Sequence, residues 1–178
     1  MKIANLKIGV RLGLAFGFVI FLLIAIVALS LSRMDNAEQR IDNMLEDRYK
    51  KIALATEVKY NVSLINQHMR NALIEGDAAG VKRETEAMNA LRAKNKELLD
   101  IFDKIINVPR AREMFTAMTN ARNEDLSAQM QLLAFLNDGK QAEAKNFLNS
   151  KSIETERAYT KLLTEMADFQ SKKMAEES

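Results

Sequence analysis

Apolar residues recur along most of this chain at alternating steps of three and four, the spacing that lines one face of a helix. Met34, Ile41, Ala55, Val62 and Met69 alternate with Ala37, Met44, Val58, Ile65 and Ala72, and only Arg48 and Lys51 interrupt the series. A second stripe runs through Val81, Met88, Leu91, Leu98, Phe102 and Ile105. A third uses Ala111, Met114, Met118, Ala121, Ala128, Leu132 and Phe135, and a fourth Ala144, Leu148, Tyr159, Leu162, Met166 and Phe169. Breakers separate the stripes. Past residue 32, glycine occurs only at 76, 80 and 139 and proline only at 109, which gives helical stretches at about 33–75, 80–106, 109–137 and 140–178. Short connections make neighbouring helices antiparallel, so the pattern predicts an all-α, up-down-up-down antiparallel four-helix bundle. Pro109 is expected in a first turn, where its missing N–H costs nothing. Asp77 is expected to cap the second stretch, and Asp138 with Gln141 to form a capping box opening the fourth.

The opening of the chain follows a different pattern. Residues 12–31 pass without a charge, and about 20 residues at 1.5 Å rise cross a hydrocarbon core of ~30 Å. The first bundle helix is therefore expected to be continuous with an N-terminal transmembrane helix. The expected organisation is a basic cytoplasmic terminus at 1–11, the membrane helix at 12–31 and a periplasmic bundle at 32–178. Lys2, Lys7 and Arg11 precede the span, and the positive-inside bias keeps that end in the cytoplasm. The rival is a cleaved signal peptide with Ala28, Leu29 and Ser30 as cleavage site, but the apolar core is too long for it. Gly9, Gly13 and Gly17 lie on one face of the span and could let two copies approach closely.

Charge and composition narrow the function. Of 26 basic residues against 24 acidic ones, those first three account for the excess, leaving 23 against 24. A near-neutral body gives no electrostatic case for nucleic acid. Zero Cys excludes thiolate chemistry. His68 is the sole histidine and reads as a surface helix residue, so neither a metal, a cofactor nor catalysis is expected. The methionines read as core.

At this point the residues match a known family. Asn5 to Gly17 (NLKIGVRLGLAFG), entering an apolar span, resembles the start of bacterial methyl-accepting chemotaxis proteins. Glu46-Asp47-Arg48, Asn61 to Asp77, Gly139 to Leu148 and Tyr159 to Gln170 resemble their four-helix-bundle sensory domain. Many relatives carry a proline shortly after the position of Arg48, where this chain has Lys51 and none. The resemblance implies a homodimeric inner-membrane receptor that samples the periplasm and relays small-molecule binding inward for chemotaxis. Such receptors continue into a second span, a linker and a signalling hairpin; none follows Ser178, so the chain is expected to be an N-terminal part or a protein lacking the output half. Similar sensory domains front histidine kinases and cyclic-dinucleotide enzymes. A membrane-anchored structural or interaction bundle without a small-molecule ligand is the alternative class.

Parity of four helices returns the chain to the membrane side, with the longer first and fourth helices expected to form a stalk. Polar residues then interrupt the seam at one level. Counted from the distal turns, Asn61, Asn95, Arg122, Asp125, Ser152 and Thr155 fall roughly 18–24 Å below the tip. Two readings stand: a hydrogen-bonded layer that sets register, or a ligand pocket in which convergent polar groups orient a small molecule. Arg122 could fork a carboxylate, with Asp125 neutralising or competing. The resemblance also implies a site between subunits near the distal end, for which Asn66, Arg70, Lys140, Gln141 and Lys145 are the candidates. Either location would favour organic acids or amino acids.

Overall fold

The structure, a computed structural model, describes residues 8–42 and 48–177. It divides into two compact units, residues 1–43 and 44–178. The first is one helix, α1 (Ile8–Asp42), whose segment Leu12–Ser30 has mean hydropathy 3.0 and is long and apolar enough to cross a membrane. Its leucine, isoleucine, valine and phenylalanine side chains from Leu12 to Leu29 are exposed, as a lipid-facing helix requires. Gly9, Gly13 and Gly17 have open space where a Cβ would stand. The junction between this helix and the bundle falls at residues 43–47, so the expected continuity and stalk lie outside the described residues.

The second unit contains α2 (Lys50–Glu75), α3 (Ala78–Ile105), α4 (Pro109–Asn137), α5 (Gln141–Phe147) and α6 (Ile153–Glu177). A π turn at Leu148–Ser152 joins α5 to α6, so residues 141–177 form one bundle helix. Among the described residues no strand occurs, and four antiparallel helices enclose the interior of the bundle. α2 packs against α3 and α6, and α4 against α6; the α3–α4 edge is the loosest. Lys51 lies in helix and is buried with Nζ donating to Asn107 Oδ1 at 3.0 Å.

The turns follow from a few residues. Asp77 Oδ1 accepts from the Gly80 amide at 2.6 Å and opens α3. Pro109 occupies the first turn of α4. Gly76 and Gly139 adopt φ of 66° and 71°, the left-handed conformation that an L side chain disfavours and that ends α2 and α4. The capping box at Asp138 does not form. Asp138 instead ends α4, its carboxylate takes the Lys140 ammonium at 3.0 Å, and Lys140 precedes α5 without a side-chain cap. The left-handed turn at Gly139 ties the Lys140 amide to the Phe135 carbonyl at 2.8 Å, which draws Asp138 into the end of α4.

The core is two apolar clusters. Met69, Val81, Met88, Leu132, Leu136 and Leu148 fill the end near the α2–α3 turn. Val58, Phe102, Met118, Tyr159, Leu163 and Met166 fill the other. Phe135 meets Phe147 and Phe102 meets Phe115 with ring centroids 5.6 and 5.8 Å apart, one pair in each half. Between the halves most buried residues are polar, among them Asn61, Asn95, Asp125, Gln129, Ser152 and Thr155.

Candidate functional site

Four helices supply the polar level. From α2, Asn61 donates through Nδ2 to Asn95 Oδ1 of α3 at 2.8 Å, both side chains buried. From the fourth helix, Thr155 Oγ1 lies 3.2 Å from Asp125 Oδ1 and 3.0 Å from the Ser152 carbonyl. On α4, Gln129 Nε2 donates to the other Asp125 oxygen at 2.6 Å. Arg92 of α3 closes the layer by donating to Gln129 Oε1 through Nε and Nη2, at 3.0 and 2.8 Å, and to Asn89 Oδ1 at 2.8 Å. Buried polar groups need such partners, and nearly all have them.

Two do not. Among the described residues the Ser152 and Tyr159 hydroxyls are buried and find no hydrogen-bond partner. Ser152 ends the π turn, a distortion that recurs at functional sites. Further along the helix Leu163 and Gln170 are buried with Tyr159 and Met166, where the apolar stripe alone points to Leu162 and Phe169. Tyr159 lines a cavity of about 70 Å³ with Val62, Ile65, Arg92, Asn95, Arg122, Asp125, Leu126 and Gln129. Arg122 is half-exposed at its mouth and has no hydrogen bond or ion pair among the described residues.

The electrostatics follow from burial. Desolvation pushes the Asp125 carboxyl up to about 6; Thr155, Gln129 and Arg92 act in the opposite sense, and Glu156 reinforces the rise. Desolvation lowers the Arg92 guanidinium, which Asp125 offsets in part, and raises the Tyr159 hydroxyl. The lining thus holds two guanidinium groups against one carboxylate that is half protonated near pH 6.

Of the six residues placed at this level by spacing, Asn95, Arg122 and Asp125 line the cavity. Asn61, Ser152 and Thr155 are buried behind it in the same layer. Arg92, Gln129 and Tyr159 were not singled out. Their signal was present for two of them: Arg92 and Gln129 stand one helical turn from Asn95 and Asp125 and share their face. By spacing Tyr159 belongs to the apolar stripe of the fourth helix, since nothing in a sequence shows a hydroxyl left unpartnered.

The distal candidates do not converge. Asn66 turns inward, buried, with Nδ2 donating to the Val62 carbonyl at 3.1 Å, while Arg70 is exposed and faces Glu156. Lys140, Gln141 and Lys145 are exposed, and Gln141 covers Gly76. His68 is not a plain surface residue: its Nδ1 lies 2.7 Å from the buried Glu84 carboxylate and holds that carboxyl below its usual range. A larger recess of about 320 Å³ between α2 and α6 offers only Lys59 and Asp168, both exposed, as charged lining.

Residues 5–178 match the family described as the four helix bundle sensory module for signal transduction. No curated protein matches the chain.

Proposed function

We propose that this chain, which belongs to the four-helix-bundle sensory module family of the methyl-accepting chemotaxis type, is the ligand-sensing N-terminal part of a transmembrane chemoreceptor. In this reading α1 anchors it in the inner membrane with the basic terminus in the cytoplasm, and the bundle binds a small molecule in the periplasm. The observation that carries the reading is the cavity in the polar layer. A layer that only set register would satisfy its own members, yet among the described residues the Tyr159 hydroxyl and the Arg122 guanidinium, both lining one cavity, have no hydrogen-bond partner. Both are groups that a ligand would complete.

The relay follows from what is tied to what. Arg48 donates to Gln170 Oε1 at 3.4 Å across the lower end of the bundle, so the start of α2 and the end of the fourth helix are coupled there. A molecule bridging Arg122 on α4 and Tyr159 on α6 would bias how the fourth helix packs against its neighbours, and that bias would reach the same end. The loose α3–α4 edge gives the cavity room to close.

A homodimer belongs to this reading. α2 carries a second heptad seam on its outer side: Ala53, Tyr60, Gln67 and Ile74 alternate with Thr56, Ser63 and Arg70, all exposed. Tyr60 and Ile74 are 62% and 81% exposed, which favours burial against a second copy.

The test is a thermal-shift screen of the full chain in detergent against organic acids, amino acids, amines and sugars. A stabilising compound should lose at least about tenfold in affinity in Arg122→Ala, with helicity unchanged, as expected for a charged hydrogen bond worth roughly 1.5–3 kcal/mol. A blank across the screen, or a hit indifferent to Arg122→Ala, removes the cavity as a sensing site.

A further inference from the structure

The size of the cavity limits what can enter. About 70 Å³ is open to the centres of water-sized groups, which suits a compact ligand of several non-hydrogen atoms.

A count of hydrogen-bonding groups limits the chemistry further. Each acceptor of the lining that a hydrogen bond reaches already has a donor from the protein. Asn95 Oδ1 takes Asn61, Gln129 Oε1 takes two bonds from Arg92, and each Asp125 oxygen has a donor. The free groups are donors: the Arg122 fork and the hydroxyl of Tyr159, which is 2% exposed. An ammonium would need up to three acceptors, would compete for them with the protein's own donors and would face the Arg92 and Arg122 guanidinium groups. A carboxylate needs donors and finds a fork beside a hydroxyl. Val62, Ile65 and Leu126 form the apolar part of the wall, matched to a methyl or ethyl group.

We propose that the cavity takes a short-chain carboxylate without an ammonium group, of the size of propionate or lactate, held by the Arg122 guanidinium and the Tyr159 hydroxyl. The assignment rests on the sensing role above and names its ligand class. It has a linkage consequence. The groups facing Asp125 are Arg122 and Gln129 on its own helix, Arg92 on α3, and Thr155, Glu156 and Tyr159 on α6. α2 presents only the uncharged Asn61, Val62 and Ile65. An anion placed there disfavours the Asp125 carboxylate, so binding takes up a proton and strengthens as pH falls toward 6.

The experiment is calorimetric titration of the full chain in detergent with propionate, lactate, alanine and propionamide, the last two being size-matched ammonium-bearing and neutral controls. Propionate or lactate should bind, at least about threefold more tightly near pH 6 than near pH 8, with proton uptake. Alanine and propionamide should bind at least about tenfold more weakly. Arg122→Gln should weaken propionate by about tenfold or more, and Tyr159→Phe by roughly fivefold, both variants keeping the parent helicity. Four flat titrations, alanine or propionamide equal to propionate, or affinity unchanged in both variants would overturn the assignment. These failures are separable from failure of the sensing role, which only the broad screen decides.

Discussion

At the residue scale, Asp125 has the least comfortable position in the bundle. It is 2% exposed, and its carboxylate has lost more to desolvation than Thr155, Gln129 and Arg92 return. Its folded-state value of about 6 lies above the ordinary 3.8. Between those values the folded chain holds a proton that the unfolded chain has released, so stability is full below the ordinary value and falls as pH rises through about 6. A difference of this size corresponds to roughly 2–3 kcal/mol. Asp125→Asn, which keeps the shape and removes the charge, should raise the denaturant midpoint at about pH 8 and flatten its dependence between about pH 4 and pH 7. A variant less stable than the parent at the higher pH would show that the charge supports the layer. The level of Asp125 could be read from its distance to the turns, because helical rise is fixed. Its protonation could not, because that depends on which side chains of three other helices close over it.

The element scale separates what breakers reveal from what they hide. Gly76, Gly139 and Pro109 marked the ends of helices because their backbone preferences act locally. The π turn left no such mark. Residues 148–152 are ordinary in composition, and the buried Leu148, Ser152 and Thr155 keep the four- and three-residue steps of a plain helix, so no sequence signal sets the turn apart. The outer seam of α2 is the complementary case, legible only once the inner seam is known to be buried. It bears a direct test, since the chain has no cysteine of its own. Tyr60→Cys on the full chain should cross-link to a dimer under mild oxidation, whereas Lys96→Cys, exposed on α3, should remain monomeric. Equal cross-linking at both positions would mean that α2 is not the seam.

At the scale of the whole molecule, the apolar N-terminal helix and the four-helix bundle were both legible in the pattern, and residues 5–178 match one sensory family. The cavity was legible only as a height. That height came from rise per residue, while the identities of Arg92, Gln129 and Tyr159 came from packing. The central claim is that a small molecule completes this layer through Tyr159. Fluorotyrosine labelling of the full chain places one fluorine at each of its three tyrosines. Tyr49 and Tyr60 are 61% and 62% exposed and act as internal controls for the buried Tyr159. During a propionate titration followed by fluorine NMR, the Tyr159 resonance should move saturably while the other two stay in place. A Tyr159 resonance that never moves, or a shift confined to Tyr60 on the outer face of α2, would contradict the account.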